Sequence, residues 1–228
     1  MLTASTYTRV LTLSTSDAIF VIMTNPNRAY HHGDLRDSLL AEAAAMIAEH
    51  GARSVTMRAI GQRLGVSRAA AYRHFANKKA LLVAVAAAGF TRLNERLKAA
   101  GAGGPKSSVA RFRRMGEEYV RFALENPAHY RLMYGKEAVT RKDLPQLRGA
   151  GDALFDLLVG MIREHQRGGV IKRQDPRSQA YVAWSAVHGL ASLLIEGQIL
   201  ASVDVDALIQ QTTQTMLDGM RVRRRGGS

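Results

Sequence analysis

With 228 residues, 46% of them hydrophobic and 22% charged, the chain is long enough for one large domain or two small ones and apolar enough to fold. It has no cysteine, which excludes disulfides and thiolate metal sites and fits a reducing cytoplasm. Its net charge of +13 favours an anionic partner, nucleic acid first and an acidic membrane surface second.

Residues 1–22 are rich in Ser and Thr and show no helical period. "AIFVIM" (18–23) falls far short of the about 20 apolar residues that cross a bilayer, and it lacks the flanks of a secretory signal. No membrane association is expected. Met23 offers a natural beginning, so residues 1–30 are expected to be a disordered arm or a misassigned start.

A first helix is expected from Leu35 to His50. Leu35, Leu39, Ala43, Met46 and Ile47 form one buried stripe, with Asp34 as N-cap and Gly51 as stop. "VTMRAIGQRLG" makes a second helix. Thr56 caps it, Val55 and Ile60 are spaced for a hydrophobic staple, and Gly65 ends it. A third helix starts at Ser67, where Val66 and Ala71 repeat the staple spacing. It is short, because Asn77 caps a fourth helix, Lys78 to about Ala99. "GAGGPKSS" (101–108) then breaks the pattern and marks a domain boundary. "GAGG" follows a helix rather than a strand, so it is not a nucleotide loop. Further helices are expected at Val109–Glu125, Ala128–Gly135, Gly151–Gln166, Pro176–Leu200 and Val205–Val222, with Leu144–Leu147 as linker or short helix. The fold class is all-α.

The charges are not spread evenly. From Gly51 to Asn94 there is no acid, but there are Arg53, Arg58, Arg63, Arg68, Arg73, Lys78, Lys79 and Arg92. A solvated face would be the bland explanation, and a one-signed block inside an amphipathic pattern counts against it. Two short helices joined by "GVS" make a helix-turn-helix. Ala71 and Phe75 pack inward with Leu64 and Val66. Arg68, Ala69, Tyr72 and Arg73 face outward, and their small neighbours suit a major groove only about 12 Å wide. Arg68 and Arg73 suit guanine edges or phosphates, and Lys78 lies in a first helical turn that favours a phosphate.

"TMRAIGQRLGVSRAAAYRHFANKKALL" resembles the DNA-binding segment of the TetR-type transcriptional regulators, over about residues 34–82. The resemblance implies phosphate contacts for Thr56, Arg58, Tyr72, His74 and Lys78. It places Arg68, Ala69, Ala70 and Arg73 at base edges, with Ser67 capping among them. Ala71 departs from the larger aliphatic usual there. The structural alternatives are core filling for Tyr72 and a backbone-bonded helix end for His74. The resemblance divides the chain into a helix-turn-helix domain at 31–80, a connecting helix and linker at 81–105, a ligand-binding and dimerisation domain at 106–222, and a basic disordered tail at 223–228.

In the second half, Trp184, His188 and Gly189, with "ENPAHYRLMYG" upstream, resemble the WHG-type ligand-binding domain over roughly residues 110–200. Met115, Tyr119, Phe122, Tyr130, Met133, Tyr134, Phe155, Met161, Trp184 and His188 supply soft, large and partly polar side chains able to line an apolar pocket. Plain core is the alternative. His188 shares a face with Trp184 and reads as a satisfied buried histidine rather than a metal ligand. The last two helices are long and amphipathic, and Gly189, Ala191 and Ser192 allow close approach. In the resembled family such helices pair as a four-helix bundle. A single short recognition helix buries little surface, which independently favours a homodimer on two half-sites.

The expected function is a cytoplasmic, ligand-responsive DNA-binding regulator. The family leans to repression of a palindromic double-stranded operator and release by a small apolar effector, without cofactor. An effector-independent or architectural DNA-binding protein is the alternative. An enzyme is the remote rival: there is no His-Glu-x-x-His and no Gly-x-Ser-x-Gly. The pairs His31–His32 and Glu164–His165 are adjacent and would diverge on a helix. No catalytic or metal-ligating residue is assigned.

Overall fold

The computed structural model describes residues 32–103, 108–134 and 145–222. Nine helices run through these segments: α1 (His32–His50), α2 (Met57–Leu64), α3 (Arg68–His74), α4 (Lys78–Ala100), α5 (Val109–Glu125), α6 (Pro127–Tyr134), α7 (Pro145–Arg167), α8 (Pro176–Ile195) and α9 (Val205–Met220). The protein is all-α. The expectations for residues 1–30 and for the tail at 223–228 lie outside the described residues.

Local chemistry sets most helix starts. The amides of Ala59, Ala70 and Ala80 donate to Thr56 Oγ1, Ser67 Oγ and Asn77 Oδ1 at 3.0, 3.1 and 2.9 Å. Each such cap stabilises its helix by about 1 kcal/mol. Several expected boundaries move. α1 begins at His32, so Asp34 lies inside its first turn rather than at its cap. α7 begins at Pro145 and absorbs the expected short piece around Leu147, whose side chain is wholly buried. Proline fits there because a first-turn amide has no helical acceptor. α8 stops at Ile195, five residues before Leu200, because Gly197 turns the chain at φ +65°. α9 stops at Met220, and Arg221 instead forms a bridge with Ile171, with Lys172 N–H donating to Met220 O at 2.9 Å.

The first three helices pack around Leu39, Ile47, Val55 and Ile60, all fully buried. Each such side chain contributes on the order of 1.5–3 kcal/mol. α4 leaves this head and runs into the second half, where it packs against α5, α6 and especially α7. α5 and α7 then meet α8, and α9 closes against α5 and α8. The end of α4 is held from α5. Arg111 Nε donates to Gly101 O at 2.8 Å and Arg114 Nε to Ala100 O at 3.0 Å, so cations sit on the negative end of the helix. Arg111 also pairs with Glu164 of α7 at 2.7 Å. Its neighbour His165 turns inward instead, to Ser108 O at 3.0 Å, so the adjacent pair diverges as expected. No described helix is long and apolar enough to cross a membrane.

Candidate nucleic-acid interface and interior cavity

The turn between α2 and α3 is tight. Gly65 adopts φ +65°, which is inexpensive only for glycine. Val66 N–H then donates to Gly61 O at 2.9 Å, and a Cβ at Gly61 would stand 3.0 Å from the Val66 carbonyl. Two glycines therefore let α3 fold back closely on α2. Ala71 is fully buried and Phe75 nearly so, which fixes the inward side of α3.

The outward side carries Ser67, Arg68, Ala69, Tyr72 and Arg73, all exposed, with Thr56 and Arg58 exposed beside them. Tyr72 is 39% exposed, so it does not fill the core, and the Arg68 guanidinium lies 5.3 Å from its ring centre. His74 and Lys78 are half-buried at the edge. Lys78 Nζ donates to Arg53 O at 3.1 Å and ties the start of α4 to the loop before α2. Ala70 differs from its expected place. It is only 8% exposed and turns inward beside Ala71, because a seven-residue helix gives both positions to the core side. Ala70 therefore stands on the buried side of α3 and not among the exposed residues expected at base edges.

Arg63 is the exception among these cations. It donates to Glu42 at 2.8 Å and Glu49 at 2.6 Å of α1. Its hydrogen bond is the main reason that the Glu49 carboxyl lies below its ordinary range. Among the described residues, Arg58, Arg68 and Arg73 form no such ion pair. They form a positive face around α3 that no acid among the described residues neutralises, suited to a polyanion.

In the second half a cavity of ≈ 160 Å³ lies between α4, α5, α7 and α8. Of the expected lining residues, Met115, Tyr119, Tyr134, Phe155, Met161 and Trp184 line it. Phe122, Tyr130, Met133 and His188 do not. Phe122 is buried under the Arg96 guanidinium, 5.5 Å from its ring centre, and Met133 packs on Gly89. Tyr130 and His188 stand behind the wall in a polar network. Trp184 Nε1 donates to Tyr119 Oη at 3.0 Å, the Tyr119 and Tyr130 phenol oxygens are 3.0 Å apart, and Tyr130 Oη lies 2.5 Å from His188 Nδ1. A consistent donor order runs from Trp184 through both phenols to Nδ1. That order leaves the hydrogen of a neutral imidazole on Nε2. Burial raises both tyrosine pKa values and lowers that of His188, so every member stays uncharged. The network links α5, α6 and α8 along one wall of the cavity. His188 is thus a bonded histidine, and no metal-binding group occurs among the described residues.

Sequence reasoning missed Phe90 and Leu97 of α4, Phe112 of α5, Asp152 of α7, and Arg177 and Tyr181 of α8, all of which line the cavity. A signal existed for two of them. Arg177, Tyr181, Trp184 and His188 follow one another at helical spacings, a stripe that begins one turn before Tyr181.

Residues 39–85 match the family model for bacterial regulatory proteins of the TetR family, and residues 112–216 match that for the tetracyclin repressor-like C-terminal domain. The chain belongs to the TetR family. As a member it is a DNA-binding transcriptional regulator, and the positive face around α3 lies within the first matched segment. The chain is similar to a solved Rhodococcus sp. RHA1 protein of unknown function, at 34% identity and TM-score 0.76, over 86% of this chain and all of that one. It also resembles a TetR-family transcriptional regulator from Pectobacterium atrosepticum, at 25% identity and TM-score 0.66, over 85% of this chain and 97% of that one. The chain is also similar to the nucleoid occlusion factor SlmA of Idiomarina loihiensis. It is 29% identical over 164 residues, which cover 70% of this chain and 77% of that protein.

Proposed function

We propose that this TetR-family regulator binds a palindromic operator as a homodimer, acts as a repressor in the cytoplasm, and releases DNA when a small, largely apolar effector fills the cavity. One observation carries the reading. α4 spans from the DNA-facing head to the cavity: Asn77 caps it beside α3, while Phe90 and Leu97 further along it form cavity wall. A ligand that favours one position of α4 changes where α3 stands.

Within that reading Thr56, Arg58, Tyr72, His74 and Lys78 anchor phosphates, and Arg68, Ala69 and Arg73 face base edges, with Ser67 at the start of α3. The division into residues 31–80 for DNA, 81–105 for connection and 106–222 for ligand and dimer follows the same logic. The exposed stripe of α8, with Val182 at 60% and Leu193 at 47% exposed, supports the partner contact, together with α9. Gly189 lies between them with open space around its missing Cβ, which suits close helix approach.

A second reading is a DNA-binding protein without an effector. The two readings part at the cavity. Selection of bound fragments from random DNA supplies the operator. The test is then whether a compound that binds beside Trp184 weakens operator binding.

A further inference from the structure

We propose that the cavity takes an amphipathic carboxylate: an uncharged aromatic body inside, with its anionic head at the Arg177 guanidinium. This rests on reading the cavity as the effector site and names the ligand's chemistry.

The interior wall sets the body. Phe90, Phe112, Tyr119, Tyr134, Phe155 and Trp184 bring aromatic rings from five helices onto one space of ≈ 160 Å³. Ring faces and edges reward an aromatic guest beyond its buried area. The polar atoms that face inward are already engaged. Tyr119 accepts from Trp184 and donates to Tyr130, so the buried end offers no counter-charge, and an ion seated there would lose its hydration uncompensated.

The charged groups of the lining are Arg177 and Asp152, both exposed, so the mouth is where an ionic head must sit. Two acids besides Asp152 oppose an anion there. Asp175 is spent on the α8 N-terminus, where it accepts from Ser178 N–H at 2.8 Å and from the Ser178 hydroxyl at 2.6 Å. Asp156 pairs with Arg177 only loosely, at 3.6 Å, and both partners are more than half exposed. Such a pair is weak and easily exchanged. Asp152 makes its own contact within the chain. Arg177 is meanwhile held in place, stacked 5.1 Å over the Phe155 ring, which also meets the rings of Tyr181 at 4.5 Å and Trp184 at 6.3 Å. A planar guanidinium fixed on the cavity rim and poorly matched by its present partner suits bidentate binding of a carboxylate. The net charge of +13 adds a field that draws anions and repels cations.

The test uses three probes with one shape: 4-phenylbutyrate, 4-phenylbutan-1-ol and 4-phenylbutylamine. Trp184 is the chain's single tryptophan and lines the cavity, so its fluorescence reports binding there. With the full-length protein, the carboxylate should bind about tenfold or more tightly than the alcohol, and the amine more weakly than either. Arg177→Gln should shrink the carboxylate-over-alcohol preference, and Asp156→Asn should widen it. The proposal fails if the amine binds most tightly, which would assign the mouth to Asp152. It also fails if the carboxylate and alcohol bind alike, if Arg177→Gln leaves their ratio unchanged, or if none of the three binds at millimolar concentration. Operator affinity measured with saturating 4-phenylbutyrate separates the two claims. A carboxylate preference without any change in DNA binding keeps the ligand class and rejects the effector role.

Discussion

Arg63 and Arg68 carry the same charge five residues apart and meet opposite fates. Arg63 is clasped by Glu42 and Glu49, whereas Arg68 lies over Tyr72 with no acidic partner among the described residues. In the proposed reading Arg68 specifies a base and Lys78 anchors a phosphate. Arg68→Ala should therefore cost about 1–3 kcal/mol on the operator and relax preference at one position. Lys78→Ala should weaken all sequences alike and flatten the salt slope by about one unit. Filter binding on operator and random DNA at several salt concentrations measures both. Equal losses for Arg68→Ala on the two DNAs would remove its base-reading role. His188 makes a second statement at this scale. Burial holds its folded-state pKa below the unfolded value, so the folded protein resists its protonation. That contribution is present above the unfolded pKa and is lost as pH falls through the folded one. His129 shifts the same way, first by burial and then through Arg92. Between pH 7 and pH 5 the melting temperature should fall, and that of His188→Gln should fall less, with His129 among the groups that still contribute. An unaltered pH slope in the variant would show that His188 does not couple to folding.

At the scale of elements, the α2–α3 turn depends on glycine twice. Gly65 supplies the left-handed residue, and Gly61 leaves room for the Val66 carbonyl. In most helices Gly→Ala gains about 1 kcal/mol. Here the new Cβ meets backbone at 3.0 Å, and backbone cannot swing aside as a side chain can. Gly61→Ala should lose about 1–3 kcal/mol of stability, or shift α3 and weaken DNA binding at unchanged stability. Denaturant melts and DNA titration distinguish these, and a stabilised variant with normal binding would contradict the close approach. The elements themselves were largely legible in sequence, because caps are local. Thr56, Ser67 and Asn77 announce their helices through their own side chains. Ends without such a mark moved: α7 starts at Pro145 and α8 stops at Ile195, set by packing and by a Gly turn. The cavity was legible only in part. Periodicity shows that Tyr119, Phe122 and Tyr130 are inward, but not which neighbour each one meets. So Phe122 lies under Arg96 and Tyr130 behind the wall, while Phe90 and Leu97 of α4 take their place.

Across the whole molecule, the DNA-facing head and the cavity share one rigid part. α4 is 23 residues long, about 34 Å at 1.5 Å per residue. Its first turn is tied to the head through Lys78, and Arg96 ties its far half to Glu118 and Glu125 of α5. Its last carbonyls are gripped by Arg111 and Arg114. In a dimer the two copies of α3 must stand about 34–36 Å apart to enter successive major grooves. A tilt of both α4 helices changes that separation and misplaces both copies of α3 together. A ligand produces the tilt only through unequal affinity for the two arrangements. Reciprocity then makes one measurement decisive: the affinity of a compound that quenches Trp184, determined with free protein and with operator-bound protein. The expected result is weaker binding in the presence of operator, by a factor corresponding to about 1–3 kcal/mol of coupling. Equal affinities with and without operator would contradict it and remove the effector role of the cavity.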